Sequence, residues 1–386
     1  MVRGGSCFAQ VLSLVDRYAF DRLVLEMGAE RGAKGFRSWD QFVAMLFCQL
    51  GSANSLREIC GGLSTALGRV VHLGLREAPR RSTLAYANTH RPWQVYEGVF
   101  LQVLERCQAV AEARHRPFHF KNPVRLLDAT VIDLCLEVFD WARFRRTKGA
   151  IKLHLQLQDR GCLPCWALIT EGRTHEVRVA QGLSFDPGTI VVMDRGYTDY
   201  AMFGRWTSQG VYFVTRMKSN ADYDVAYTLP GGQGAVRGEE WIHLAGAAAR
   251  ECTHKLRRIR VWDEENKREI VLLTNHPSLS AATIGRIYRY RWQIEAFFKT
   301  IKQNLKIKTF VGTSENAVKT QIWTALIAIL LLKFLQLKSS WHWSMSNLCA
   351  MLRFNLLTYR DLWAWLNDPY GVPILEPQAV QMQLAL

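Results

Sequence analysis

The sequence is short of acid. Asp and Glu together number 34 against 49 Lys and Arg, a net charge of +15 and a pI near 9.6. Such a chain points to a polyanionic partner, nucleic acid being the commonest, although ribosomal, membrane-surface and nuclease roles stay open on charge alone. No apolar run reaches the roughly 18 residues that a membrane span needs. The longest, Ile322 to Leu332, ends at Lys333 and reads as a buried helix, so no membrane partner is expected. The opening MVRGGSCFAQ lacks the apolar run of a signal peptide, and nine scattered cysteines do not make a disulfide framework. A reducing cytoplasm is the expected location. Internal repeats and low-complexity segments are missing too, and the length of 386 residues predicts two or three domains.

What is present begins with helices. Ser38-Trp-Asp-Gln41 has the form of a capping box ahead of WDQFVAMLFCQL, and after GSAN the signal recurs as Ser55-Leu-Arg-Glu58 before LREICGGLS. Two short helices joined by a tight turn outline a helix-turn-helix, or equally two members of a bundle. STLAYAN follows Arg80-Arg81, and HRPWQVYEGVFLQVLERC closes a helical domain expected over residues 1–120, read as DNA-binding. From Val124 the period changes. RLLDATVIDLCL, AIKLHLQLQ, CWALITEG, TIVVMDRG and VYFVTRMK are apolar or alternating runs, with a helix-like TDYAMFGRWTSQG between the fourth and fifth. Three strands, then helix and strand in alternation, is the ribonuclease H-like order of an α/β fold, expected over residues 121–310. LRRIRVW, a turn at Asp263 to Asn266 and KREIVLLTN read as a hairpin within an antiparallel β domain inserted at about residues 219–275. A helical segment over 311–386 follows, with a looser, more Pro-rich tail from Asp368.

One helix raises a question of charge. YRYRWQIEAFFKTIKQ places Glu295 among Arg289, Arg291, Lys299 and Lys302. A Glu four residues from an Arg or Lys is ordinarily a surface ion pair. Here Ile287, Tyr290, Ile294, Phe297 and Ile301 make a buried stripe, while Tyr288, Arg291, Glu295 and Lys302, at spacings of 3, 4 and 7, share the next face. Two further acids sit where strands carry them: Asp128 inside the first, Asp194 directly after TIVVM. An acid at a buried strand end costs solvation unless cations compensate. Asp128, Asp194 and Glu295 together could hold two Mg²⁺ ions about 4 Å apart, the arrangement that activates a water or a 3′ hydroxyl for phosphoryl transfer. Mn²⁺ is an expected substitute. Asp133, five residues beyond Asp128, falls on the opposite strand face.

LLDAT, VVMDRGYTDY and the Tyr-Arg-Glu-Lys helix resemble the DDE transposases of the insertion sequence 4 family, over roughly Val124 to Lys302. The resemblance implies an enzyme that binds the ends of its own element, cleaves them by Mg²⁺-dependent hydrolysis and transfers the 3′ hydroxyls into target DNA, as a homodimer on DNA. It implies Asp128, Asp194 and Glu295 as metal-binding catalytic acids, and Tyr288, Arg291 and Lys302 as contacts to the DNA backbone. Members with a long gap before the last acid carry a β insertion, and some use an aromatic from it to receive a flipped base; Trp262 and Trp241 are the candidates. Two alternatives stand beside this: a ribonuclease H-like nuclease or resolvase, and a catalytically silent DNA-binding protein. The lone Cys162-Leu-Pro-Cys165 reads as a turn in preference to a metal site, and His154 and Lys152 as sheet residues that alternate toward one face.

Overall fold

The computed structural model describes residues 5–66, 69–113, 117–145, 148–230 and 234–374. The chain forms two compact units: Met1–Arg114 with Leu134–Ala142 and Lys299–Leu386, and His115–Asp133 with Arg143–Phe298. The first is helical. The second carries the sheet.

The helical unit opens with α1 (Cys7–Leu12), α2 (Arg17–Glu26), α3 (Ser38–Leu50), α4 (Leu56–Ser64), α5 (Arg81–His90) and α6 (Gln94–Glu112). The first capping signal is displaced by one residue. Arg37 is the N-cap, its N–H donating to Asp40 Oδ2 at 2.6 Å, and Ser38 is already helical. At α4 the cap falls as read, Ser55 Oγ accepting from the Glu58 N–H. α3 is buried along its length except at Asp40, and its Trp39 and Phe42 pack with Phe20 at centroid distances of 5.1 to 5.4 Å. It is a core helix, whereas α4 shows Arg57 and Glu58 to solvent.

The second unit contains β1 (Val124–Leu134), β2 (Arg143–Arg145), β3 (Lys148–Gln158), β4 (Pro164–Glu171), α7 (Glu176–Gln181), β5 (Ile190–Met193), α8 (Tyr200–Ser208) and β6 (Tyr212–Arg216). There follow β7 (Tyr223–Thr228), β8 (Val236–Leu244), α9 (Gly246–Glu251), β9 (Leu256–Asp263), β10 (Arg268–Thr274), α10 (Ala281–Tyr290) and α11 (Trp292–Asn304). The ten strands share one sheet, in the order β2-β3-β1-β5-β6-β10-β9-β8-β7 with β4 on β3. β1, β5 and β6 are parallel neighbours, and α8 covers the crossover between the last two; β3–β4 and everything from β6 to β7 is antiparallel. The hairpin read from the sequence is β9–β10, but the inserted segment is no separate β domain: β10 pairs with β6 and so continues the central sheet.

The reason lies at the seam. Asn275, just past β10, accepts from the Phe213 N–H at 2.9 Å and donates to the Val211 carbonyl at 2.9 Å and to Thr207 Oγ1 at 2.8 Å. One amide thereby ties the end of the insertion to β6 and α8, above a core in which Phe203 and Phe213 stack at 4.0 Å.

The chain returns to the helical unit with α12 (Glu315–Lys338), α13 (Met345–Asn355) and α14 (Leu362–Asn367). α12 is long and apolar enough to cross a membrane by length and composition alone, with a mean hydropathy of 1.6 over its most apolar stretch, yet 89% of that stretch is buried. It packs on α6 and α3, so the N-terminal helices and the C-terminal helical segment belong to one unit. Of the Pro-rich tail, residues 375–386 lie outside those described.

Candidate active site

The parallel register of β1 and β5 sets the first two acids. Leu127 pairs with Met193, so Asp128 and Asp194 are the next residues along neighbouring strands. β1 continues through Asp128, whereas β5 stops at Met193 and Asp194 begins a short 3₁₀ turn, Arg195–Tyr197. The four residues of β5 are fully buried, which anchors the strand end from which Asp194 projects.

Glu295 arrives from α11, and the expected single helix is broken just before it. α10 ends at Tyr290, α11 starts at Trp292, and Arg291 occupies the joint in helical geometry. The apolar stripe still works across the break: Ile287, Ile294, Phe297 and Ile301 are buried. Tyr290 is only half-buried, and its hydroxyl donates to the Asp159 carbonyl at 3.0 Å.

Arg291 joins the acids. Its Nη2 lies 2.5 Å from Glu295 Oε1 and its Nη1 3.7 Å from Asp128 Oδ2, while the guanidinium sits 5.5 Å from the centre of the Tyr288 ring. Arg291, Asp128 and Glu295 are all partly withdrawn from solvent, Arg291 the most of these three, with 12% of its side chain exposed. Burial pushes the Asp128 carboxyl up to about 6; the negative charges of Glu295 and Asp194 add to this, and the Ala129 N–H and Arg291 oppose it. The same acids reach Tyr197. Its phenol is raised well above the ordinary tyrosine range, first by burial and then by Asp128, Glu176 and Asp194, and its hydroxyl is buried without a partner among the described residues.

These residues suit a hard cation in kind. Carboxylate oxygens are the donors that Mg²⁺ and Mn²⁺ prefer. Among the described residues, however, no three acidic, His or Cys side chains stand close enough together to hold a metal ion as they are; Asp128 and Glu295 both meet Arg291.

Beside Tyr288 and Arg291 lies a cavity of about 290 Å³ that also takes in Trp262, Arg216, Arg268 and Trp292. Trp262 thus borders the site. Trp241 does not line this cavity; it stacks on Tyr227 at 6.1 Å, with Arg257 5.8 Å from its ring centre. Lys302 lies farther along α11, past the point where the chain enters the helical unit. Residues 119–331, more than half of the chain, match the family described as Transposase DDE domain.

The chain belongs to the DDE transposases.

This transposase also matches, over residues 3–76, a Domain of unknown function (DUF4372). It is 28% identical over 276 residues to the "Probable transposase for insertion sequence element IS5377" of Geobacillus stearothermophilus, covering 71% of this chain and 72% of that one. It is 22% identical over 229 residues to "Transposase InsG for insertion sequence element IS4" of Escherichia coli K12, covering 54% and 51%. Both agree with the insertion sequence 4 resemblance. Among solved structures, a piggyBac transposase synaptic complex with hairpin DNA aligns at a TM-score of 0.39 and 10% identity over 96% of this chain and 82% of that one, too distant a likeness to carry an argument.

The transposase is thus a metal-dependent enzyme acting on DNA. Residues beside the candidate site that have no assigned place in the motifs include Trp292, Arg216, Arg268 and Tyr197. Tyr197 carried a signal, being the tyrosine of DRGY beside Asp194; Trp292 and Arg216 carried none, since only the fold brings them to one cavity. The other candidates have structural partners. Cys162, in left-handed backbone after Gly161, forms the β3–β4 turn. Lys152 pairs with Glu176 at 2.8 Å, and buried His154 meets Thr170 at 3.0 Å. Asp133 is exposed.

Proposed function

We propose that the sheet unit is a ribonuclease H-like catalytic core in which Asp128, Asp194 and Glu295 hold two divalent ions, Mg²⁺ or in its place Mn²⁺. The observation that carries this reading is the parallel register of β1 and β5, which sets Asp128 in β1 beside Asp194 at the end of β5, with Glu295 linked to Asp128 through Arg291. The strand order β4-β3-β1-β5-β6, with its first neighbours antiparallel and its last parallel, supports the fold assignment. Bound metal supplies activation of a water or 3′ hydroxyl and stabilisation of the leaving oxygen in an in-line displacement.

The chain's own residues do the positioning. Asp128 and Asp194 are fixed by paired strands, Glu295 by a helix docked through its buried stripe. Arg291 can fork onto a phosphate, Tyr288 can donate or stack, and Lys302 supplies a point charge. Trp262, at the rim of the cavity, is the better placed of the two tryptophans to receive an unstacked base. The reaction is hydrolytic nicking at the element's ends, then transfer of the freed 3′ hydroxyls to target DNA, carried out in the cytoplasm by a homodimer that pairs two ends. The helical unit contributes end binding.

Changing Asp128, Asp194 or Glu295 to Ala one at a time tests the assignment. Each variant is expected to lose end cleavage by a factor of at least about 10³ while still shifting an end-containing duplex in a gel. Cleavage at the wild-type rate by any of the three would remove that residue from the site.

A further inference from the structure

Arg291 stands where positive charge is needed and where a metal ion would supply it. Its two terminal nitrogens face Glu295 at 2.5 Å and Asp128 at 3.7 Å, so it uses carboxylate oxygens on which a metal ion would also draw. Two cations cannot share those oxygens at full strength. The guanidinium is also incompletely held. Its Nε is buried without a partner among the described residues, and the Asp128 arm is longer than a hydrogen bond. Two carboxylates, Asp128 and Glu295, face this one guanidinium, and Asp194 adds its negative charge at Asp128; the excess of negative charge attracts a divalent ion and favours the exchange. Finally, Arg291 is the single residue between α10 and α11, at a joint in the chain.

From this we propose that Arg291 is a stand-in cation. In the metal-free protein it neutralises Asp128 and Glu295; metal binding displaces it, and the released fork becomes available to a DNA phosphate. Metal and DNA are thereby coupled through one side chain, and the site cannot present its phosphate-binding arginine before it is loaded. The proposal rests on the reading of the three acids as the metal site.

The test uses the full-length protein without DNA, titrated with Mn²⁺ and followed by electron paramagnetic resonance of the free ion. Removing the competing charge in Arg291→Gln is expected to tighten Mn²⁺ binding about tenfold. Arg289→Gln removes an exposed charge that makes no ion pair with these acids, and is expected to change affinity less than about twofold. Equal or weaker binding by Arg291→Gln would overturn the proposal. Asp128→Ala separates the two levels: if it leaves Mn²⁺ affinity unchanged, the acids are not the metal site and the underlying reading fails first. A second arm needs no substitution. In the wild-type protein, labelling of Arg291 by phenylglyoxal, read by mass spectrometry, is expected to rise severalfold at saturating Mn²⁺. Equal protection with and without the ion would contradict displacement, even if Arg291→Gln does not fold.

Discussion

At the scale of single residues, two buried histidines give the protein a definite response to acid. Burial lowers His154 to about 4, with Lys152 adding to the fall and Glu176 opposing it; burial and Arg257 likewise lower His276 to about 4. The Nδ1 atom of His276 accepts from the N–H groups of Ser278 and Leu279, so protonation there breaks a local turn. In the unfolded chain both rings take a proton near 6.5. Between these values the unfolded state binds more protons, so this stability is complete above the upper value and is lost as pH falls toward the lower one. Urea unfolding at pH 8 and pH 5 is expected to show a loss of about 1–2 kcal/mol for each ring. The His154→Gln variant should show a smaller loss than the wild type; an unchanged difference would mean that His154 does not titrate this way.

Elements owe their positions to a few buried polar side chains that periodicity does not reveal. Gln321 on α12 accepts from the Val311 N–H at 2.9 Å and donates to the carbonyls of Lys306 at 2.7 Å and Thr309 at 2.8 Å; Gln49 on α3 accepts from the Lys306 N–H at 2.8 Å. Two glutamines thus satisfy the backbone that leads from α11 to α12. Gln321→Leu takes this partner from the Val311 N–H and the Thr309 carbonyl and leaves the Lys306 carbonyl with Gln49 at 3.5 Å, and is expected to cost about 2–3 kcal/mol in chemical denaturation; a loss below about 0.5 kcal/mol would show that the loop finds other partners. In the sheet, Arg257, 3% exposed, pairs with Glu239 and donates to the carbonyls of His276 and Leu279 at 2.7 Å. Arg257→Met is expected to destabilise by about 3 kcal/mol, since it strands the partly buried Glu239 carboxylate and two carbonyls, as the same denaturation measurement would show.

The same contrast explains what could be read from the sequence. Strands with strong apolar periods, such as TIVVM and LRRIRVW, are legible, and Asp128 and Asp194 stand out in the sequence as candidates because an acid within or directly after a buried run is costly. β2, with three residues, and β7, whose residues are nearly all exposed, carry no such signal. Nor does the seam at Asn275, a single amide whose partners lie more than 60 residues away in sequence. The break at Arg291 was hidden because its stripe of apolar residues continues through it. Trp241 and Trp262 looked equivalent as strand tryptophans; only the course of β8 and β9 separates one from the cavity.

For the whole molecule, the net charge of +15 is the largest fact that the fold leaves unspent. Binding to DNA through phosphates releases counterions, so affinity for element ends should fall by roughly 10³ or more between 50 and 200 mM salt if six or more phosphates are contacted. A flat response in a fluorescence anisotropy titration would contradict a phosphate-dominated interface. The central claim is that Asp128, Asp194 and Glu295 form one metal-dependent centre that both frees and joins the 3′ ends of an element. It is tested most directly by incubating the purified protein with a DNA carrying the native ends, a target plasmid and Mg²⁺, then sequencing the products. The account predicts element 3′ ends joined to target DNA by the wild type and none by any of the three alanine variants. Cutting without joining, or joined products from an alanine variant, would contradict it.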